Sequence, residues 1–232
     1  MQVAAWPSGT TGSLKGSDMV NRRRVIIDTD PGIDDAQALL FALFCGQLQI
    51  DAVTTVFGNV PVELAAQNAL RLLEMTGNSE IPVYVGAAEP LVRRRVNYAA
   101  EVHGETGFGD LDLPLPTCHV QKNYAAAELA RRVVEEKGKI AILALGPLTN
   151  LALAIRLDPQ FASCVDEVIF MGGIISGFGN VSAVATANIM NDSEAAKIVL
   201  NSNIRLTMVG QDVTRRVVND CVRAGADRCF PV

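Results

Sequence analysis

The chain has 232 residues, of which 49% are hydrophobic, so its size and composition suit one α/β domain with a sizeable core. Its formal net charge of -5 at pH 7 argues against nucleic acid as a partner held by bulk electrostatics. The longest apolar run, at 36–45, is shorter than the ~18 residues of a membrane span, so we expect no membrane partner.

Short apolar runs alternate with stretches of helical spacing along the chain. Strands are predicted at 25–27, 50–56, 82–86, 140–145, 168–171 and 205–209, and helices at 34–45, 62–76, 125–137, 148–157 and 193–201. This alternation predicts βαβ units and a Rossmann-like open, mostly parallel sheet with helices on both faces. Two long connections, 87–122 and 174–191, interrupt the pattern, and the first is long enough to predict a functional loop.

The ends of the chain and its cysteines bear on organisation and location. Residues 1–22 mix Gly, Ser and Thr without the features of a secretory signal, so we expect a disordered leader. The α/β domain is expected over 23–214 and a divergent tail over 215–232. The cysteines are odd in number and form no Cys-x-x-Cys pair, which predicts free thiols in the reducing cytoplasm.

Four carboxylates, Asp28, Asp30, Asp34 and Asp35, follow the first strand closely. Unshielded, they would repel one another, and burial would raise their pKa values. The positive end of the following helix and a bound hard cation can both keep them ionised, and oxygen ligands favour Ca²⁺ or Mg²⁺ over zinc. A simpler interpretation is that acidic residues favour a helix start. It explains Asp34 and Asp35 but leaves Asp28 and Asp30 without a partner.

Polar residues and glycines also follow the later strands, including Asn59, Gly146 and Asp212. The ligand crevice of an open α/β sheet lies outside the carboxyl ends of its strands, so these residues are expected to converge. Asn59, Asn180 and Asn188 are interpreted as amide donors to substrate hydroxyls, although any single Asn in such a place is often a turn former.

His103 lies in a His-Gly-Glu-Thr-Gly segment within the first long connection. It is interpreted as a proton donor or a substrate contact, with a surface loop residue as the alternative. His119 is assigned to that alternative. The chain has no Gly-x-Ser-x-Gly elbow, no P-loop and no Gly-x-Gly-x-x-Gly after a strand, so the chemistry of those motifs lacks support.

Residues 28–36, Asp-Thr-Asp-Pro-Gly-Ile-Asp-Asp-Ala, resemble the signature of the inosine–uridine-preferring nucleoside hydrolases. The resemblance continues in motifs at 54–59, 103–107, 146–150, 171–173, 188, 192–196 and 208–214. It covers roughly 24–214 and implies the nucleoside hydrolase fold. It also implies hydrolysis of the N-glycosidic bond of ribonucleosides to ribose and free base, and a possible homo-oligomer.

The resemblance implies a catalytic and metal-binding set. Asp30 would activate the attacking water, and Asp30 and Asp35 would bind Ca²⁺ together with the backbone carbonyl of Leu145. His103 would face the base. The chemistry is consistent, because an oxocarbenium-like transition state gains from nearby carboxylates and calcium lowers the pKa of its water.

The resemblance also implies a set of residues that bind a small-molecule ribonucleoside. Asp34 and Asn188 would hold ribose hydroxyls, and Asn180 would hold the 5′ side. Asn59 and Met171 would line the ribose pocket.

Two departures from the family pattern leave alternatives open. Thr186 stands where the family usually has a Glu that grips ribose. Family members also continue beyond this length with a His-Asp pair, so we expect a C-terminally truncated member. The alternative is an impaired or inactive paralogue or isoform that binds nucleosides or a partner.

A haloacid-dehalogenase-like phosphohydrolase would also begin with Asp-x-Asp, but it would carry Thr or Val where this chain has Gly32.

Overall fold

The computed structural model describes residues 22–94, 98–109, 111 and 113–217. Within them, six strands form one sheet in the order β3-β2-β1-β4-β5-β6. The strands are β1 (Arg23–Thr29), β2 (Leu48–Thr55), β3 (Val83–Val85), β4 (Ile140–Ala144), β5 (Glu167–Met171) and β6 (Leu206–Val209). Every pairing is parallel, so the predicted sheet is confirmed. Most of the predicted leader and most of the predicted tail lie outside the described residues.

The helices in the described part are α1 (Ile33–Phe44), α2 (Val62–Met75), α3 (Ala100–His103), α4 (Ala125–Glu135), α5 (Thr149–Leu157), α6 (Phe161–Cys164), α7 (Ala187–Asn191), α8 (Ser193–Leu200) and α9 (Gln211–Thr214). The predicted strands and the five predicted helices are present, with ends that differ by no more than two residues. The short helices α3, α6, α7 and α9 were not predicted, because one turn is too short to show a periodic apolar pattern. Two of them, α3 and α7, lie inside the long connections.

Helices cover both faces of the sheet, as predicted. Along β1, Val25 and Ile27 pack with α1 and α2 on one face, and Ile26 packs with α4, α5 and α8 on the other. Because β1 is central and covered twice, its apolar residues form a continuous run instead of alternating with polar ones. In the described ranges, no helix is long and apolar enough to cross a membrane. Cys45, Cys118 and Cys164 are free thiols, as predicted.

The register of β1 places the acidic cluster at the centre of one edge of the sheet. Asp28 lies opposite Thr54 of β2 on one side and Ala144 of β4 on the other. Because all strands are parallel, their carboxyl ends meet at this edge. The first turn of α1 begins there directly after Pro31-Gly32, so Asp30 and Asp35 share the same small volume.

Candidate active site

Asp30 leaves the end of β1 and is buried, with 1% of its surface exposed. Its Oδ2 accepts the backbone N–H of Asn59 at 2.6 Å. Its Oδ1 has no hydrogen-bond partner in the described part of the chain. Burial, followed by the charges of Asp35 and Asp34, raises the pKa of Asp30 well above its ordinary value. One carboxylate oxygen is therefore fixed, while the other remains available.

Two glycines leave room for the Asp30 carboxylate. A Cβ on Gly58 would lie 1.6 Å from Asp30 Oδ2, and one on Gly146 would lie 2.6 Å from Asp30 Oδ1. Real Cβ atoms do not approach other atoms this closely, so any side chain at either position would displace the carboxylate. The predicted convergence of the β1, β2 and β4 exits is thus confirmed at Asp30.

Asp35, in the first turn of α1, turns back toward Asp30. Its Oδ1 accepts the Thr29 hydroxyl at 2.7 Å, and its Oδ2 accepts the Asn59 side-chain amide at 2.8 Å and the Gly32 N–H at 3.4 Å. Burial and the Asp34 charge raise the pKa of Asp35 to about 6. Asn59 thus contacts both carboxylates. One of the two N–H groups of its side-chain amide, predicted to serve a substrate hydroxyl, is bonded to Asp35.

Asp28 is fully buried beneath this pair. Its Oδ1 accepts the Thr54 hydroxyl at 2.6 Å and the Asn150 side-chain amide at 2.8 Å, while its Oδ2 has no partner within the described ranges. Burial raises the pKa of Asp28 to about 6, against the effect of these two bonds. The two polar partners explain how a carboxylate is tolerated there. The simpler interpretation left Asp28 without a partner, and the structure corrects this: Asp28 has two hydrogen-bond partners.

His103 packs against the start of α1 and is buried, so the alternative of a surface loop residue is wrong. Its Nδ1 accepts the Ile33 N–H at 3.2 Å and lies 3.8 Å from Asp34 Oδ1. The neutral ring therefore carries its proton on Nε2. Burial lowers the pKa of His103, and the charge of the exposed Asp34 opposes this shift. A Cβ on Gly32 would lie 2.7 Å from His103 Nδ1, so glycine permits the contact.

Asn188, Leu145 and Met171 form a second cluster near the β4 and β5 exits. The Asn188 amide donates to the Leu145 carbonyl, and also to the Met171 carbonyl at 3.1 Å. Thr186, the departure from the family pattern, is buried and accepts the Gly173 N–H at 2.8 Å. The cluster therefore joins the predicted ribose-pocket residues Met171 and Asn188 to the predicted carbonyl ligand.

Asn180 behaves differently from the other predicted site residues. It is exposed, and its Oδ1 accepts the Ala187 N–H at 2.9 Å. The side chain thereby holds the start of α7, which is a local structural contact.

Three polar residues at the site were given no role by the sequence analysis. Thr149, Asn150 and Asp192 are fully buried and hydrogen-bonded close to Asp28 and the strand exits. Both motifs that contain them, at 146–150 and 192–196, were noted for the resemblance. The available signal was a polar residue inside an apolar helix pattern for Thr149 and Asn150, and an acidic residue before a helix for Asp192. Neither signal identifies the hydrogen-bond partner.

The residues present fit a hard cation in part. Across the described ranges, no three His, Cys, Asp or Glu side chains are grouped to hold one metal ion. The protein nevertheless offers oxygen atoms only: the unpartnered Asp30 Oδ1, the Asp35 carboxylate and the Leu145 carbonyl, which also accepts the Asn188 amide. Oxygen donors of this kind suit Ca²⁺ or Mg²⁺.

A sequence model of the inosine-uridine preferring nucleoside hydrolase family matches residues 25–228, further than the motifs at 24–214. Probable uridine nucleosidase 1 of Oryza sativa subsp. japonica is 45% identical over 204 residues, which are 88% of this chain and 63% of that protein. Uridine nucleosidase 1 of Arabidopsis thaliana is 44% identical over 207 residues, which are 89% of this chain and 62% of that protein.

A solved structure described as a plant nucleoside hydrolase, the PpNRh1 enzyme, aligns with a TM-score of 0.82 and 43% identity, over 84% of this chain and 62% of that chain. The chain spans 62–63% of the length of the plant relatives above. The match to the family leaves no ground for the phosphohydrolase alternative. Because the family match covers most of the sequence and the described fold agrees with it, the chain belongs to the inosine-uridine preferring nucleoside hydrolase family.

Proposed function

We propose that this protein hydrolyses the N-glycosidic bond of ribonucleosides to ribose and free base, with Asp30 activating the attacking water. The observation that carries the proposal is the Asp30 carboxylate, which is buried at the carboxyl edge with one oxygen fixed by Asn59 and the other without a partner. A general base works best when its pKa lies near the working pH, and burial shifts the pKa of Asp30 in that direction.

The names of the relatives support the substrate class. Both plant proteins are called uridine nucleosidases, and the family is named for inosine and uridine. We therefore propose ribonucleosides as substrates, with uridine among them.

We propose Ca²⁺ as the metal, in line with the metal dependence that the resemblance implies. Asp30, Asp35 and the Leu145 carbonyl would hold it, with the remaining positions filled by water or substrate oxygens. When bound, the ion would lower the pKa of a bound water and offset the carboxylate charges. Asn59 orients both carboxylates, because its backbone N–H binds Asp30 and its side-chain amide binds Asp35.

The remaining predicted residues have available groups for a ribonucleoside. Asp34 is exposed, so its carboxylate is free to accept hydrogen bonds from ribose hydroxyls. His103 uses Nδ1 as an acceptor inside the protein, so its Nε2–H is the donor that would face the base. Asn188 uses its N–H groups on the Leu145 and Met171 carbonyls, which leaves its Oδ1 for a ribose hydroxyl.

A reducing-sugar assay with uridine, inosine and cytidine, in Ca²⁺ and in chelator, tests the proposal. Asp30→Asn should lower ribose release about 10²–10⁴-fold, the usual contribution of a general base. Glu80→Gln makes the same carboxylate-to-amide change at an exposed residue before β3, so it should retain activity. Folded protein that releases no ribose from any of these nucleosides would overturn the proposal and favour binding without turnover.

A further inference from the structure

Asn150, at the start of α5, joins the exits of three neighbouring strands. Its side-chain amide donates to Asp28 Oδ1 of β1 at 2.8 Å and to the Thr55 carbonyl of β2 at 2.9 Å. Its Oδ1 accepts the N–H of Ala87, which follows β3, at 2.9 Å. Both ends of the amide are therefore engaged within the protein.

The chain after β3 is shaped to admit this side chain. A Cβ on Gly86 would lie 2.3 Å from Asn150 Oδ1 and 2.4 Å from its Nδ2. Only glycine leaves space for the amide at that point. Residues 86–91 are here called the exit segment, and its first two residues thus lie against Asn150.

Asp192 holds the other end of the exit segment. It is fully buried, and its Oδ2 accepts the Leu91 N–H at 2.9 Å and the Thr149 hydroxyl at 2.8 Å. Its Oδ1 accepts the Ala195 N–H at 2.9 Å, so Asp192 also caps the start of α8. Thr149 and Asn150 are neighbours in sequence, so one turn of α5 contacts the start of the exit segment directly, through Asn150, and its end through Asp192.

The exit segment leads into the connection that carries His103. The connection is also attached to the site directly, because the Ala99 N–H donates to the Asn59 carbonyl at 3.1 Å. Within the exit segment, the Ala87 carbonyl accepts the Phe57 N–H at 2.9 Å. The exit segment and Ala99, which precedes α3, are therefore both hydrogen-bonded to residues that follow β2.

We infer that Thr149, Asn150 and Asp192 form a buried polar clamp that fixes the exit segment and so positions His103 over the site. All three are positioning residues, because their hydrogen-bonding atoms are used on other protein groups. The inference rests on the proposed function, since it assigns the clamp a role in holding the ribonucleoside on the side of the base.

The first test compares Thr149→Val, which keeps the shape but removes the hydroxyl, with Thr149→Ser, which keeps the hydroxyl. Asp192→Asn is a second disruptive variant, because the side-chain N–H of the asparagine would face a backbone N–H that the carboxylate now accepts, that of Leu91 or Ala195. Thr76→Val removes a hydroxyl bonded at 2.8 Å to the Leu72 carbonyl at the end of α2, so it is the matched control.

Hydrogen exchange of the free protein measures the clamp without any need for activity. Thr149→Val and Asp192→Asn should raise exchange about tenfold in residues 86–94 and 98–109, as expected for the loss of one hydrogen bond. Thr149→Ser and Thr76→Val should match the wild type there. Unchanged exchange in the folded disruptive variants overturns the inference, whatever the activity of the wild type.

Uridine hydrolysis then separates positioning from a general loss of fold. Thr149→Val should raise KM about tenfold and change kcat much less, with Thr149→Ser near the wild type. Unchanged KM with raised exchange, or equal impairment in the Val and Ser variants, contradicts the positioning role. A wild type that releases no ribose contradicts the proposed function instead, and the exchange data still decide the clamp.

Discussion

The backbone N–H of Asn59 lies 2.6 Å from Oδ2 of Asp30. The same residue uses its side-chain amide on Asp35, at 2.8 Å. Asn59, which follows β2, is therefore hydrogen-bonded to two carboxylates, one at the end of β1 and one in α1. Because the donor to Asp30 belongs to the main chain, a side-chain substitution at position 59 releases Asp35 alone.

Asn59→Ala should therefore weaken metal binding while leaving the bond to Asp30 in place. Loss of a group that orients a metal ligand typically lowers affinity about 10–100-fold. Titration calorimetry with Ca²⁺ measures the change. Asn78→Ala, at the end of α2, removes side-chain bonds to Thr76 only and should bind like the wild type. Equal affinity in the wild type and Asn59→Ala would show that the Asp35 orientation does not matter for the metal.

Gly58→Ala should lower activity, because its Cβ would lie 1.6 Å from Asp30 Oδ2 and displace the carboxylate. A misplacement of about 1 Å in a catalytic group costs on the order of 10²-fold in rate. The control is Gly46→Ala, where a Cβ would meet no atom within 4 Å but φ is +70°. That variant should lose about 1–2 kcal/mol of stability and keep its activity. Ribose release and thermal unfolding of both variants test the contrast, which an active Gly58→Ala would contradict.

Metal-free protein should become less stable as pH rises from about 4 to 6. Burial raises the pKa of Asp28 and of Asp35 to about 6, from an ordinary value of 3.8. In this window the unfolded chain releases protons that the folded protein retains, so stability falls with rising pH, by roughly 2–3 kcal/mol per group. Urea unfolding in chelator between pH 4 and 7 measures the slope.

Two variants of that experiment sharpen it. Asp28→Asn should remove its share of the slope, since the amide does not titrate there. Ca²⁺ should reverse the trend, because it stabilises the ionised carboxylates. A metal-free slope of the opposite sign would mean that the buried carboxylates are ionised without difficulty.

Glu128→Gln should destabilise the protein by about 1–3 kcal/mol, since it removes the negative charge and one of the two oxygens that accept from charged donors. Glu128 is buried and accepts from Arg131 and Arg132, and these bonds lower its pKa to about 2. Its contribution is present above about pH 4.5 and is lost as pH falls toward 2. Glu135→Gln removes an exposed partner of Arg131 and should cost less than about 1 kcal/mol. Urea unfolding at pH 7 compares the two variants, and equal costs would contradict the effect of burial.

The acidic cluster and its place in the sheet could be predicted from sequence for a physical reason. Apolar runs that alternate with helical spacing predict a parallel sheet, and a parallel sheet brings Asp30 and Asn59 to the same edge. The resemblance added roles for single residues, which spacing alone does not supply.

The contacts between side chains could not be predicted in this way. Asn150 and Asp28 are 122 residues apart, and a polar residue in an apolar pattern does not indicate its partner. The short helix α3 carries His103 into a buried position, but its one turn leaves no periodic signal. The bond from the Asn59 side chain to Asp35 likewise depends on how α1 leaves the Pro31-Gly32 turn.

The polar pocket around Asp28 also bears on how the chain finds its correct pairing during folding. Val25, Ile26 and Ile27 are apolar on both sides of β1, so hydrophobicity hardly distinguishes the native alignment from one shifted by a single residue. A shift in one direction would place Ile27 against Thr54 and Asn150 and leave their donors buried without acceptors. The buried Asp28 carboxylate, although costly to bury, thereby favours the native register of β1 during folding, independently of any substrate.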